Sequence, residues 1–421
     1  MTQQAHSIDI PSAVKDTRSH LAGLPFFDRF WFWFWLAGPF IFLIERSPAD
    51  LWITLLDLAF LWRCFRQNDW GWMRQRWVQA IFGFWAICLL STIISALPAE
   101  ALLEGAGWLR FPLYAMAAQI WFGQHRAFRV MMLAAMSAAM VMMTAILTAE
   151  VIFAPKARLS WPYGDLVPGG FLAKAVLPVT VVWVALITAE MRRRSVVLGG
   201  LLAWSLAISM MTGERMHMLI RGCASLLAMV SWRTSKIVIA AGAGLITALM
   251  GLLFWFVPSV NYRFGSYFVN DNPLLSLDSS YWSVWKMGIA GFQLDPVLGV
   301  GPGNLRHLCP TLPAELLVNP ADCSNHPHHY YFQIAGETGA VGLIAAMLMI
   351  GLILHHCWQA RRPISGDKMI CPMAATSYIV PLAIFFPLQS TGDFFGQWSN
   401  VFIWMGIGFA VMQNQSFRQD R

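Results

Sequence analysis

Charge is scarce in this chain: of 421 residues only 12% are Asp, Glu, Lys or Arg, roughly half the share a soluble domain carries. That scarcity excludes an ordinary soluble globular protein. No period of 20–50 residues recurs, which excludes a solenoid or propeller, and no low-complexity tract or linker divides the sequence into domains. The start has no positive n-region, short apolar h-region and small-residue cleavage site, so Met1–Phe27 reads as a cytoplasmic lead-in and not a signal peptide. What is abundant is apolar. The chain is 57% hydrophobic with 21 Trp and a mean hydropathy of +0.55.

Apolar stretches of about 20 residues, each long enough to cross a bilayer, recur from end to end. The expected fold is therefore all-α and polytopic. Spans are expected near 28–45, 49–64, 77–97, 105–123, 128–153, 169–189, 195–212, 215–231, 237–257, 337–357, 370–389 and 397–413, about twelve in all. Arg63, Arg66, Arg74, Arg76, Arg126, Arg129, Arg192, Arg193, Arg194, Arg233, Lys236, Arg361, Arg362 and Lys368 then fall on one side. They join Lys15, Arg18 and Arg29 at the start and Arg418 and Arg421 at the end. By the positive-inside rule that side is the cytoplasm, and both termini are on it. The net charge of +7 is thus mostly topology and gives no argument for nucleic acid.

Two outward connections are long, near Ala154–Pro168 and Pro258–Gly336. The second is large enough for a cap within the single membrane domain 1–421, and Tyr281–Met287 in it has the pattern of an amphipathic surface helix. Cys309 and Cys323 both lie in this loop, where an oxidising compartment either closes it with a disulfide or leaves two thiols. Cys64, Cys88, Cys223, Cys357 and Cys371 lie in or beside helices as small apolar residues.

Cations on the outer side run against the topology rule, so each asks for a reason. Arg46, Lys156, Arg158, Arg215, Arg263, Lys286 and Arg306 lie there, Arg110 and Lys174 sit near outer helix ends, and Arg221 is inside a helix starting at that face. Singly, each fits snorkelling or a local carboxylate. As a group they suit a lipid phosphate or diphosphate at headgroup depth. Thr212-Gly213-Glu214-Arg215 is a tight turn that puts Arg215 in the first turn of the next helix, where it either holds an anion or pairs with Glu214. The run His326-Pro327-His328-His329-Tyr330-Tyr331 stands at the mouth of an apolar helix. Neutral imidazole there can take a proton from an attacking hydroxyl. A zinc site is another reading, but no Cys and no H-x3-H helix spacing accompanies the run, and interfacial packing is a third. His217, His355 and His356 carry no signal.

His328-His329, with Gln333, Glu337, Gly339 and Gly342, resembles the pattern H-N-x-x-x-Q-x-x-x-E-x-G-x-x-G of the O-antigen ligase and polymerase superfamily. Tyr281-Trp282 and Pro296-Val297-Leu298-Gly299-Val300-Gly301-Pro302-Gly303-Asn304 are similar to its Y-W…P-x-x-G-V-G-P-x-N segment. Thr212–Arg215 looks like its T-G-E/S-R turn, and Gly170–Lys174 like its G-x-x-x-K helix start. The order of motifs matches along nearly the whole chain. Two positions depart: His329 replaces Asn, Ser or Gln and could be a second proton carrier, and Lys286 stands where Arg is expected. Lys286 puts bidentate phosphate binding from the loop helix in doubt, with Arg263 or Arg306 as substitutes. The motif histidine can also be assigned to His326, although the Glu337 and Gly339 spacing favours His328.

The resemblance implies a membrane glycosyltransferase of GT-C-like fold in the bacterial inner membrane, with a periplasmic active site and no cofactor. The implied donor is an undecaprenyl-diphosphate-linked O-antigen and the implied acceptor the lipid A-core. On this reading His328 is the base and Arg215 stabilises the leaving diphosphate. The expected substrate contacts are Lys174, Arg158, Lys286, Arg263, Arg306, His326, His329, Tyr281, Glu337 and Asp393, the last near the outer end of the final helix pair. No metal is required. An O-antigen polymerase or a protein O-oligosaccharyltransferase would use the same donor. A transporter, the reading from another class, would use the intramembrane charges as a path, but paired inverted halves are missing.

Overall fold

A computed structural model describes residues 8–156, 158–164, 168–189, 193–232, 234–269, 280–311, 323, 326–361, 371–387 and 392–415. Arg192, Arg233, Arg362, Lys368, Arg418 and Arg421, used above for orientation, lie outside the described residues, as do stretches of the large loop.

The described residues are helical, with no strand among them. Among the described residues four helices are long and apolar enough to cross a membrane: Arg76–Ile94, Arg126–Phe153, Lys236–Phe256 and Tyr330–Gln359. Leu177–Ala189, Arg193–Met211, Arg215–Ser231 and Gln397–Val411 are shorter apolar helices near the expected positions. Where an expected span is broken, the sequence supplies the cause. The first is split into Phe26–Leu36 and Gly38–Ile41 at Gly38-Pro39, and the penultimate into Pro372–Thr376 and Ile379–Ile384, with Pro381 inside the second piece (proline removes a donor and crowds the preceding turn). The span expected at 105–123 begins earlier, with Pro98 at the first turn, and ends in a single π turn over Ala118–Phe122.

Helix Lys236–Phe256 has no buried residue, although it is apolar on every face, which is the composition of a helix that finishes its burial in lipid. Elsewhere a continuous core of large side chains binds the bundle, with Trp35, Trp52, Trp72, Trp77, Trp108 and Trp404 almost fully enclosed.

The loop cap is locked to the bundle through backbone. The surface helix expected over Tyr281–Met287 is longer, Ser280–Leu294. It packs on the start of Tyr330–Gln359, and Gly288 and Gly336 allow the close approach: a methyl at either would press on the other chain segment. Beyond it, Val300 N–H donates to Gly336 O at 3.0 Å, Gly301 N–H to Glu337 O at 2.9 Å and Ala340 N–H to Pro296 O at 2.8 Å. The Ser91 hydroxyl, 2.6 Å from Leu298 O and 2.9 Å from Glu337 O, pins the crossing to helix Arg76–Ile94. Gly339 has φ 65° and ψ −168°, a region open only to glycine, and a side chain there would overlap Val297. Cys309 and Cys323 are disulfide-bonded, and Cys309 packs with Met287, Ala290, Val300 and Leu305 in a small core of the cap's own.

Candidate active site

The cap, the Thr212–Arg215 turn and the segment before helix Gln397–Val411 enclose a cavity of about 1080 Å³. Seven cations line it: Arg46, Arg110, Arg158, Lys174, Arg215, Arg263 and Arg306. Facing them are Glu104, Glu214, Asp393, His217, His326 and His328.

Each cation is set by local structure. Thr212-Gly213 closes helix Arg193–Met211 with Gly213 at φ 75°, and Arg215 opens the next helix. Its guanidinium donates to Arg263 O at 3.0 Å and to the Tyr281 hydroxyl at 3.0 Å, and lies 5.7 Å from the Tyr281 ring centre. Arg263 arches back so that its Nε donates to Gly213 O at 3.1 Å. Glu214 turns to Arg158, with which it makes an ion pair, and to His217, 3.7 Å from its second oxygen. Burial alone would raise the Glu214 carboxyl, but His217, Arg158, Arg263 and Lys174 outweigh it and hold the group below the usual carboxylate range. The Arg263 guanidinium is pushed down by burial and by the neighbouring charges of Arg158 and Arg215. Cations crowded this closely repel one another, and an anion in their midst relieves the repulsion.

Arg158 reaches the cavity because the first outward connection is folded back on the buried Glu150, whose carboxylate accepts Ser160 N–H at 2.8 Å and Trp161 N–H at 2.8 Å. Lys174 is buried in a π turn, Phe171–Ala175, a distortion that often marks functional sites. Its Nζ donates to the Tyr330 hydroxyl at 2.7 Å, which lies 3.1 Å from Ser399 Oγ.

His326 and His328 sit with ring centres 4.0 Å apart. His328 has φ 52°, a left-handed conformation uncommon for a residue with a side chain, held by the buried Pro327 before it and a helix cap after it. The cap is His329: its Nδ1 accepts from Phe332 N–H at 3.4 Å and its Nε2 lies 2.8 Å from Pro387 O. A carbonyl can only accept, so Nε2 carries the proton and Nδ1 the lone pair. Burial pushes this imidazole below its ordinary pKa, against the pull of the Pro387 carbonyl.

Of the residues expected from sequence, the cavity gathers His328, Arg215, Lys174, Arg158, Arg263, Arg306, His326, Tyr281 and Asp393. Lys286, His329 and Glu337 do not line it. His329, read as a second proton carrier, has Nδ1 committed to the helix cap and Nε2 to Pro387 O. Glu337 is buried, bonded to Gln333 at 3.4 Å and to the cap through its carbonyl. Of the two substitutes considered for Lys286, both Arg263 and Arg306 are present. Arg221 is buried away from the cavity, bonded to Ser205 and Thr180. Sequence reasoning noted Arg46 and Arg110 as outer cations without placing them, and gave no signal for Glu104, Gln397 or Trp398. Among the described residues no three of His, Cys, Asp and Glu converge with metal-ligand geometry.

Apolar helices around a cavity lined by charged side chains define a helical membrane protein. Residues 200–347 match the family model described as O-Antigen ligase, which supports the resemblance to the O-antigen ligase and polymerase superfamily over that part of the chain. No protein of curated function matches the chain. The matched segment carries Arg215, Arg263, Tyr281, Arg306, His326 and His328, whereas Arg46, Glu104, Arg110, Arg158, Lys174 and Asp393 come to the same cavity from outside it.

Proposed function

We propose that the protein is a lipopolysaccharide O-antigen ligase that transfers the glycan from an undecaprenyl-diphosphate carrier to the lipid A-core oligosaccharide at the periplasmic face of the inner membrane. The observation that carries this reading is the placing of His328 in the same cavity as the Arg215, Arg263, Lys174 and Arg158 cluster. Glycosyl transfer from a diphosphate needs both. The acceptor oxygen attacks the anomeric carbon and its proton passes to the His328 imidazole. The bond from that carbon to the diphosphate breaks, and its electron pair leaves on a phosphate oxygen that Arg215 and its neighbours stabilise. Attack from the side opposite the leaving group inverts the anomeric centre. A Lys or Arg cluster supplies the charge that a divalent ion supplies in other glycosyltransferases, so transfer is expected to continue in excess chelator.

The test is a deletion strain complemented with wild type or His328→Ala. Loss of the whole O-antigen ladder on a lipopolysaccharide gel, restored by wild type and not by the variant, is the expected result. A single-repeat band in the deletion strain points to a polymerase with the same donor, and recovery of transfer only on adding a divalent ion overturns the metal-free step.

A further inference from the structure

The cavity is not uniform in charge. Around the Thr212–Arg215 turn Glu214 is the carboxylate, among the described residues, that faces Arg158, Arg263 and Lys174. On another wall the balance is different. Burial disfavours the Arg306 guanidinium charge, but its ion pair and hydrogen bond with Glu104, helped by Asp393 and Glu337, outweigh that effect. Arg110 is bound to Asp50 at 2.8 Å, and the second oxygen of Asp50 takes Gln397 Nε2 at 3.0 Å. A diphosphate brought to this wall would meet carboxylates as often as guanidinium groups. Sugar hydroxyls, which both donate and accept, suit such alternating charges and amides.

Asp393 is the best-fixed group on the wall. Its Oδ1 accepts Gln333 Nε2 at 2.6 Å and Phe395 N–H at 3.0 Å. Gln333 uses its own Oε1 to accept Phe394 N–H at 2.8 Å, so one buried carboxamide holds both the carboxylate and the turn that bears it. With Oδ1 committed, the orientation of Oδ2 is also set, and among the described residues Oδ2 accepts no hydrogen bond. Trp398 also lines the cavity.

We propose that this wall, Asp393 with the Glu104–Arg306 pair, is the acceptor subsite, and that it takes an uncharged polyhydroxylated sugar one of whose hydroxyls donates to Asp393 Oδ2. Gln333 is then a positioning residue acting through Asp393. The inference rests on the transferase reading above and adds where the second substrate sits and which chemistry it presents.

Asp393→Asn is the sharp variant. Its carboxamide keeps an oxygen on Gln333 and Phe395 while turning an NH2 to the cavity, so an acceptor becomes a donor with no change of shape. Transfer by the full-length protein in lipid vesicles is measured with the undecaprenyl-diphosphate-linked glycan as donor, and with lipid A-core or a lipid-linked repeat unit as acceptor. The acceptor KM should rise about ten- to a hundredfold, the loss expected for a hydrogen bond to a charged group, while the donor Kd stays within about twofold. Gln333→Ala should raise the acceptor KM in the same direction, again with donor affinity kept. An unchanged acceptor KM in Asp393→Asn, beside an Arg215→Lys variant that has lost donor affinity, overturns the subsite and leaves the transferase reading standing. A donor Kd that rises as much as the acceptor KM also overturns it, by moving Asp393 to the donor side. Wild-type protein that uses neither acceptor overturns the reading and the subsite together.

Discussion

Arg215 and His329 show how little a residue's type says about its work until its partners are known. The Arg215 guanidinium spends two bonds on Arg263 O and the Tyr281 hydroxyl, which fixes the plane of the fork it offers the cavity. Lysine keeps the charge but not the fork, so Arg215→Lys should lose transfer by about tenfold or more through weaker hold on the diphosphate, read as a raised donor Kd. His329 works in the opposite way, as a cap whose lone pair the fold needs. His329→Asn keeps an acceptor at the helix N-terminus and should keep activity, whereas His329→Ala should cost about 1 kcal/mol of stability. The pH dependence follows from the depressed pKa. Below the ordinary value of 6.5 the unfolded chain takes up a proton that folded His329 resists, so its contribution is complete above that pH and is lost as pH falls below it. Thermal unfolding of wild type and His329→Asn between pH 7.5 and 5 would check this: the wild type should lose more of its midpoint on acidification.

At the scale of elements, the sequence motifs turn out to be of two kinds that spacing cannot separate. Glu337 and Gly339 sit in the same motif as His328 and the Gly299–Asn304 run in a neighbouring one, yet they build the crossing of two backbones: the glycines are there because other chain segments pass where a side chain would be. A pattern records that a residue type is required and not whether chemistry or packing requires it. The cap's disulfide belongs to the second kind with a consequence for the first. Cys309 lies three residues after Arg306 and Cys323 three before His326, both cavity residues. Closing a loop of this length adds about 3 kcal/mol by chain entropy. Replacing both cysteines by serine should therefore lower transfer while leaving the protein inserted and the Arg215 cluster able to bind donor, as donor affinity measured beside turnover would show.

Over the whole molecule the helical character and most of the site cations were legible, because membrane spans announce themselves by length and outer cations by contrast with the topology rule. Glu104, Gln397 and the placing of Arg46 and Arg110 were not, since nothing local marks them and only the packing of distant helices brings them to the cavity. The orientation read from Lys and Arg is directly measurable. A reporter inserted after Pro320 should be active outside the cytoplasm and one after Gly366 inside it, and the reverse at either place would break the assignment of faces.

Helix Lys236–Phe256 meets the rest of the protein only through half-buried side chains among its described residues, Ile239 and Leu249 against the main core and Met250 and Leu253 against Met210, Met218 and Val260. Its hold therefore depends on the solvent around it as much as on its neighbours. Arg263 follows seven residues after Phe256 and reaches back to Gly213, so the fit of this helix to its surroundings is passed directly to the cation cluster. Short-chain detergents should accordingly weaken donor affinity before they unfold the bundle, and returning lipid should restore it. The bilayer is in this sense a subunit of the protein, and its acyl chains cover a helix that the polypeptide leaves unburied.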